Sequence, residues 1–169
     1  KAYALVKDKK EPAYRNQSAN LINMYAAIDQ RKQNFDLAVE RYLKAGQIFN
    51  ETGEHLKIIF SYYNLSGIYK FLGDTSKMFY YANETYRIAT QSQDPVSIIR
   101  GLIALGDAYC LVKDYDSALI ISKKGLQMAK SQDLTFAIGI FNNFIGLYFT
   151  NSALQYDSAI AHFNLALES

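Results

Sequence analysis

The chain has 169 residues, half of them apolar, and its 18 Lys and Arg stand against 16 Asp and Glu, which leaves a formal charge of +2. Charges this balanced and this scattered lack the basic face that nucleic-acid binding needs. A single cysteine, Cys110, excludes an intrachain disulfide and cannot by itself build a zinc site, and no apolar run approaches the ~20 residues that cross a bilayer. We therefore expect a soluble domain with no direct nucleic-acid contact and no membrane span.

Similar stretches recur along the chain at a nearly fixed period. They begin at Asn34, Asp74, Asp114 and Gln155, which are 40, 40 and 41 residues apart. A period of tens of residues indicates a repeat architecture, in which each unit buries its apolar side against its neighbours. The sequence therefore predicts four repeats that form a single solenoid over residues 1–169.

Each repeat is predicted to hold two helices. Asn34, Asp74 and Asp114 offer short side-chain acceptors that can cap a second helix, and Asp94 and Asp133 offer the same to a first helix. The predicted pairs are 13–31 with 35–50, 54–72 with 75–92, 95–112 with 115–131, and 133–151 with 155–168, in repeats 13–50, 54–92, 95–131 and 133–168 that follow a helix tail and linker over 1–12.

Two side-chain patterns recur in these helices. Small residues in the second helices form a stripe that lets a neighbouring helix approach closely; they are Ala38, Ala118 and Ala159, and then Ala45, Thr85, Gly125 and Ala166. The first helices carry bulky residues at helical spacing, which indicates one buried face; these are Ile22, Tyr62, Leu102 and Phe141, followed three positions later by Tyr25, Leu65, Leu105 and Phe144.

The passages that start at Leu65 and Leu105 carry a family resemblance. Leu65-Ser66-Gly67-Ile68-Tyr69 precedes Gly73-Asp74, and Leu105-Gly106-Asp107-Ala108-Tyr109 precedes Asp114-Tyr115-Asp116-Ser117-Ala118. In both, the order of bulky, small and aromatic residues resembles tetratricopeptide repeats. The resemblance implies an all-α fold, a right-handed superhelical solenoid of antiparallel helix pairs, with a concave surface, lined by the first helices, that binds peptides or proteins.

The repeats depart from the family pattern in three ways. Asp29 stands where the first repeat should have an aromatic residue, Ile145 is interpreted as occupying the small position of the fourth, and the loop 151–155 is longer than the others. The period of 40 also exceeds the family's usual ~34 residues, so each helix is longer by about 4.5 Å. Extended repeats of this kind resemble those of bacterial regulatory and sensor proteins.

The ends of the solenoid lack an obvious polar cap. The last helix would present Ile160, Phe163 and Leu167, and near the start Ala2, Leu5 and Val6 have no earlier helix to cover them. The chain also begins with Lys1 and ends at Ser169 inside a helical pattern. We therefore expect it to be a segment of a longer protein with further repeats, or to form a homo-oligomer through its end helices.

No constellation for catalysis or cofactor binding is recognisable. His55 and His162 have no metal-ligand partner at suitable spacing, Cys110 fits a small buried hydrophobe better than a nucleophile, and there is no glycine-rich phosphate loop. The sequence thus predicts no enzyme, no catalytic residue, no metal and no cofactor. A lone thiol leaves the compartment open between the cytoplasm, slightly favoured, and an exported segment.

The family geometry implies where a ligand would bind. First-helix side chains that point away from the second helices would line the concave groove; they are Asn20, Asn23, Tyr63, Lys70, Arg100, Asp107 and Asn142. The set mixes amide, charged and aromatic groups and could hold an extended peptide. The Lys, Asn and Arg clamp with which some family members capture an acidic chaperone C-terminus is not reproduced.

The leading hypothesis is a protein- or peptide-binding module that forms the sensory or regulatory segment of a bacterial signalling or transcription-control protein. One alternative is a structural scaffold that assembles a complex, or associates with itself, through its end helices. A second is a domain attached to an enzyme whose catalytic part lies outside these residues. The bacterial and regulatory elements rest on the resemblance alone.

Overall fold

The computed structural model describes residues 12–169, which form eight α-helices. The helices are α1 Pro12–Arg31, α2 Phe35–Glu51, α3 His55–Leu72, α4 Thr75–Ser92, α5 Pro95–Leu111, α6 Tyr115–Ser131, α7 Thr135–Asn151 and α8 Tyr156–Leu167. Every boundary lies within two residues of its predicted position. The predicted helix tail and linker over 1–12 falls almost wholly outside the described residues.

The helices pack as successive pairs in two layers. Each helix packs against the next one along the chain, and α3 also contacts α5, which contacts α7. Within residues 12–169 the second helices make no comparably extensive contacts with one another. The first helices therefore form the inner layer of an all-α solenoid, the fold class that the sequence predicted.

All seven connections between the helices use one residue in the left-handed backbone region. It is a glycine in the turns after α2 and α3, where Gly53 and Gly73 have φ of 74° and 75°. The other five turns place Gln33, Gln93, Lys113, Asp133 and Leu154 at φ between 51° and 62°. Because left-handed backbone reverses a helix in few residues, the same tight turn is repeated along the solenoid and keeps the period nearly constant.

Side-chain caps form at three of the five predicted positions. Asp74, Asp94 and Asp114 accept hydrogen bonds from the amides of residues 77, 97 and 117, at 3.0, 2.8 and 3.1 Å. Asn34 precedes α2 but its side chain accepts no such bond. The prediction for Asp133 was wrong: its φ of 51° makes it the turn residue, and Leu134 occupies the N-cap position of α7.

Small residues bring neighbouring helices together as predicted. Ala38, Ala45, Thr85 and Ala118 are fully buried. The closest approach lies at Gly101 on α5, where a β-carbon would stand 2.7 Å from Cα of Tyr86 on α4. That separation leaves no space for any side chain, so the backbones of α4 and α5 are in direct contact.

The fourth repeat keeps the period of 40 in its first helix, which corrects its predicted register. α7 begins at Thr135, 40 residues after Pro95, so Gly146 rather than Ile145 takes the small position of Gly106. A β-carbon at Gly146 would lie 2.5 Å from the ring of Phe163. The extra residue of this repeat falls in the loop between α7 and α8, after the motif, and therefore does not shift it.

Asp29 replaces an aromatic contact with an ionic one. In the second repeat Tyr69 stacks on Tyr81, with ring centroids 5.6 Å apart. Asp29, which is buried at 7% exposure, stands 40 residues before Tyr69 and pairs with Arg41, which stands 40 residues before Tyr81. The two substitutions occur together and preserve the contact between the helices of the pair.

The end faces are apolar in part. Ile160 and Leu167 are 57% and 85% exposed on α8, as expected of an uncapped end. Phe163 does not belong to that face in the predicted way, because its ring packs over Gly146 of α7. Ala2, Leu5 and Val6 lie outside the described residues, and self-association through the ends stays a prediction.

Replacing Gly101 with alanine should destabilise the fold, because the added methyl group would meet the backbone of α4 at 2.7 Å. Overpacking of this kind costs about 1–3 kcal/mol. Gly67→Ala is the matched control: a β-carbon there has no neighbour within 4 Å, and removing a helical glycine should stabilise by about 0.5–1 kcal/mol. Urea unfolding followed by circular dichroism measures both, and equal effects would contradict the packing at Gly101.

The capping bond of Asp94 gives a second test. Asp94→Ala removes the acceptor for the Ser97 amide and should lower the free energy of unfolding by about 1 kcal/mol. Asn34→Ala removes no capping hydrogen bond and should change it less. Thermal unfolding of the two variants makes the comparison, and a larger loss for Asn34→Ala would refute the assignment of caps.

Candidate ligand-binding groove

Side chains on the inner layer line a groove that crosses three repeats. Residues 40 apart occupy equivalent places on successive first helices, so Phe60 of α3 corresponds to Arg100 of α5, and Tyr63 to Ile103. Phe60, Tyr63, Arg100 and Ile103 together line one cavity of about 380 Å³. The volume is in the range of small-molecule and peptide-side-chain pockets.

Tyr63 stands at the centre of this groove. It lines the 380 Å³ cavity, a larger one of about 590 Å³ towards α7 and α8, and a smaller one of about 160 Å³ towards the ends of α3 and α5. Burial raises the pKa of its phenol, the nearby carboxylate of Asp107 raises it further, and Arg100 opposes both. The phenol is therefore neutral at pH 7 and can donate a hydrogen bond to a ligand.

Arg100 lies over two aromatic rings of the preceding repeat. Its guanidinium carbon is 5.9 Å from the centroid of Phe60 and 5.8 Å from that of Tyr63. Cation–π contacts of this geometry hold an arginine in place without consuming its N–H donors. Among residues 12–169 no carboxylate forms an ion pair with Arg100.

Lys70 and Asp107 form an ion pair across the same groove. Their Nζ and Oδ1 atoms are 2.5 Å apart, which links the C-terminal half of α3 to α5. Both side chains line the 160 Å³ cavity. The pair is about one-third exposed, so its contribution to stability is small, and its charges cancel within the groove.

Asn20 and Asn23 lie at the other end of the groove and play different parts. Asn20 is exposed and lines a cavity of about 380 Å³ with Met24 and Phe60. Asn23 is buried, at 8% exposure, and accepts a hydrogen bond of 3.0 Å from the hydroxyl of Ser61. The Asn23 oxygen therefore holds α1 against α3, and only Asn20 presents a free amide.

The structure does not place Asn142 in the groove. Asn142 is 3% exposed and its Oδ1 lies 3.1 Å from Nδ1 of His162 on α8, inside the helix pair. The neighbouring Asn143 lines the 590 Å³ cavity and is exposed. The discrepancy is the one-residue register error in the fourth repeat: Asn143, not Asn142, stands 40 residues after Ile103.

Sequence reasoning missed the apolar residues of the groove. Phe60 is 40% exposed and Phe136 is 76% exposed, and both line the 380 Å³ cavity. Ile103 and Ile140 line the 590 Å³ cavity. The signal was the period itself, because Phe60, Arg100 and Ile140 are 40 residues apart and so share a position with Asn20.

The remaining candidate groups have structural surroundings. His162 stacks on Phe149 at 5.5 Å, and burial, followed by the charge of Lys130, lowers its pKa. Within residues 12–169 no group of three or more His, Cys, Asp or Glu side chains is placed to hold a metal ion. None of the described helices combines the length and the apolarity that crossing a membrane requires.

The arrangement defines a class of protein: a helical-repeat solenoid with an aromatic groove on its inner layer. Residues 17–91 match the tetratricopeptide repeat family. The chain therefore carries tetratricopeptide repeats, as its motifs predicted, and repeats of this family serve in protein–protein interaction in general. No curated protein sequence matches the chain.

A solved structure shows the same fold over nearly the whole chain. The crystal structure of BtubC (BKLC) from P. vanneervenii superposes with a TM-score of 0.78 at 20% sequence identity. The match covers 97% of this chain and 66% of that one, so the chain spans just under two thirds of the length of BtubC. At this identity the similarity concerns the fold alone.

Cys110 reports on the environment of the groove, because it follows Asp107 by one turn of α5. Burial, and then the charge of Asp107, raises the pKa of its thiol from 9.0 to about 11. The thiolate fraction at pH 8 falls about a hundredfold, partly offset by the greater reactivity of a more basic thiolate. Alkylation by iodoacetamide should therefore be about tenfold slower in the folded chain than in urea.

Asp107→Asn should speed this alkylation, because it removes a negative charge that disfavours the thiolate. Asp94→Asn, which changes a carboxylate at the opposite end of α5, is the matched control and should leave the rate unchanged. Mass spectrometry of the single cysteine measures the rates. Equal rates in the folded and urea-unfolded chains would contradict the burial of Cys110.

Proposed function

We propose that the groove on the inner layer binds an extended peptide or an unfolded segment of a protein partner. The observation that carries the proposal is the exposure of Phe136, at 76%, and Phe60, at 40%, around cavities that no other side chain fills. Large apolar side chains are stable when they are covered. Aromatic groups that flank an open cavity are the usual anchors of peptide recognition.

The polar groups of the groove suit a peptide ligand. Asn20, Asn143 and the neutral phenol of Tyr63 can hydrogen-bond to the amides and carbonyls of an extended backbone. Arg100 adds a cation held against aromatic rings. A ligand of this kind would contact three successive first helices at once, and its binding would favour one spacing of the repeats over another.

We further propose that the chain is the sensory or regulatory segment of a bacterial signalling or transcription-control protein. The support is the 40-residue period, which resembles the extended repeats of such proteins. A ligand that bridges α3, α5 and α7 would change the pitch of the solenoid, and the pitch would carry the signal. In this proposal the segment carries no catalytic residue and binds no cofactor.

A second candidate function is scaffolding through the end face. Ile160 and Leu167 are exposed on α8, and the 590 Å³ cavity opens beside them. A partner that packs on this end would cover apolar side chains that the groove proposal leaves open. Sedimentation over a range of concentrations separates the two functions, because only the scaffold makes assembly depend on α8.

Binding to the groove is tested with a displayed library of random linear peptides. Peptides retained by the chain are synthesised and titrated by calorimetry against the native chain and against Tyr63→Ala and Phe136→Ala. Truncating an aromatic anchor should weaken binding about thirtyfold, since such residues contribute about 2 kcal/mol or more. Ile120→Ala is the control, because Ile120 is 70% exposed on α6 and lines none of the cavities described.

Helix content and melting temperature of each variant establish that it folds. Peptides that bind with the same affinity to Tyr63→Ala, Phe136→Ala and the native chain would refute the groove as the site. Failure to retain any peptide, combined with association that Ile160→Asp abolishes, would favour the scaffold.

A further inference from the structure

We infer that the groove selects peptides in which an internal acidic side chain, flanked on both sides by apolar side chains, pairs with Arg100. The inference rests on the proposed function and names the chemistry of its ligand. Its three elements are an unpaired cation, apolar space on either side of that cation, and a groove that is open at both ends.

Arg100 differs from the other two cations that line the groove cavities. Lys70 is paired with Asp107 at 2.5 Å, and Lys57 is paired with Glu54 at 3.1 Å. Among residues 12–169 Arg100 forms neither an ion pair nor a hydrogen bond; its contacts are the rings of Phe60 and Tyr63. A cation in these surroundings attracts an anion that the described part of the chain does not supply.

The donors of Arg100 are accessible to a ligand. The side chain is only partly buried, and no buried side-chain nitrogen or oxygen in the described residues lacks a hydrogen-bond partner, so its free N–H groups face solvent in the groove. A guanidinium is weakly hydrated and presents its donors in a fork that matches the two oxygens of a carboxylate. Exchange of water for a carboxylate at this position is therefore favourable.

The carboxylates of the groove do not neutralise Arg100. Asp107 is committed to Lys70. Asp133, in the turn before α7, lines the same 380 Å³ cavity as Arg100 but forms no ion pair with it. Asp133 would repel an incoming acidic group, so its removal offers an independent test of the charge of the ligand.

Apolar space lies on both sides of Arg100. Towards α1, Phe60 borders the cavity that Asn20 and Met24 also line. Towards α7 and α8, Phe136 borders both the 380 Å³ cavity and the 590 Å³ cavity. A ligand whose acidic group meets Arg100 thus extends past it in both directions, which requires an internal acidic residue rather than a chain terminus.

The test uses peptides selected from the random library on the native chain. Each selected peptide is resynthesised with Glu replaced by Gln, or Asp by Asn, and with its C-terminus free or amidated. On the native chain the acidic form should bind at least about tenfold more tightly than its amide counterpart, the value of a charge-assisted hydrogen bond. Amidation of the C-terminus should make no difference.

Three variants localise the effect. Arg100→Gln should abolish the preference for the acidic form while it still binds the neutral form, and Arg100→Glu should reverse the preference towards Lys-containing peptides. Asp133→Asn should strengthen binding of acidic peptides several-fold and leave neutral ones unchanged. Circular dichroism and the melting temperature of Arg100→Gln should match those of the native chain, because Arg100 makes no hydrogen bond or ion pair within the described residues.

The outcomes separate this inference from the proposed function. If acidic and neutral peptides bind equally to the native chain and both lose affinity on Tyr63→Ala, the groove is the binding site and the inferred charge selectivity is wrong. If amidation abolishes binding, the ligand group is a terminal carboxylate and the inference is also wrong. Binding that neither Tyr63→Ala nor Arg100→Gln changes overturns both proposals.

Discussion

Each second helix lies so close to the following first helix that the contact dictates the rest of the architecture. At Gly101 the distance from a β-carbon position to Cα of Tyr86 is 2.7 Å, which only a bare backbone allows. The stripe of alanine, threonine and glycine in the second helices serves the same approach in the other repeats. Because adjacent repeats are pressed together in this way, the first helices meet in an inner layer, and their remaining side chains form a continuous groove.

The groove is therefore composed of what the packing does not use. Positions that face the neighbouring helix are occupied by buried leucine, isoleucine and small residues, whereas the positions 20, 60, 100 and 140 vary from asparagine to phenylalanine, arginine and isoleucine. Variation at one structural position along the solenoid produces a surface whose chemistry changes from repeat to repeat. This surface is amide-rich at α1, aromatic and cationic at α3 and α5, and apolar at α7, and the chemistry of its ligand has to follow the same order.

Much of this was predictable, and the errors have identifiable causes. The boundaries of all eight helices were predicted within two residues, because turns and caps recur with the repeat. Asn142 was placed in the groove and Ile145 at the small position because the longer fourth repeat was assumed to shift its first helix. The extra residue instead lies in the loop before α8, so the register of α7 is unchanged. Asp29 looked like a break in the motif, and its partner Arg41 could be found only by comparing the same two positions in another repeat.

The sequence by itself determined the period, the number of repeats, the helical class and the family, since these depend on local spacing and on side-chain size. Only the tertiary structure decided which polar residues are free. Asn23 and Asn142 are consumed by hydrogen bonds to Ser61 and His162, Asp107 is consumed by Lys70, and Arg100 rests on Phe60 and Tyr63 with its donors open. Whether a side chain is satisfied depends on atoms about 40 residues away along the chain, and spacing within one helix carries no information about them.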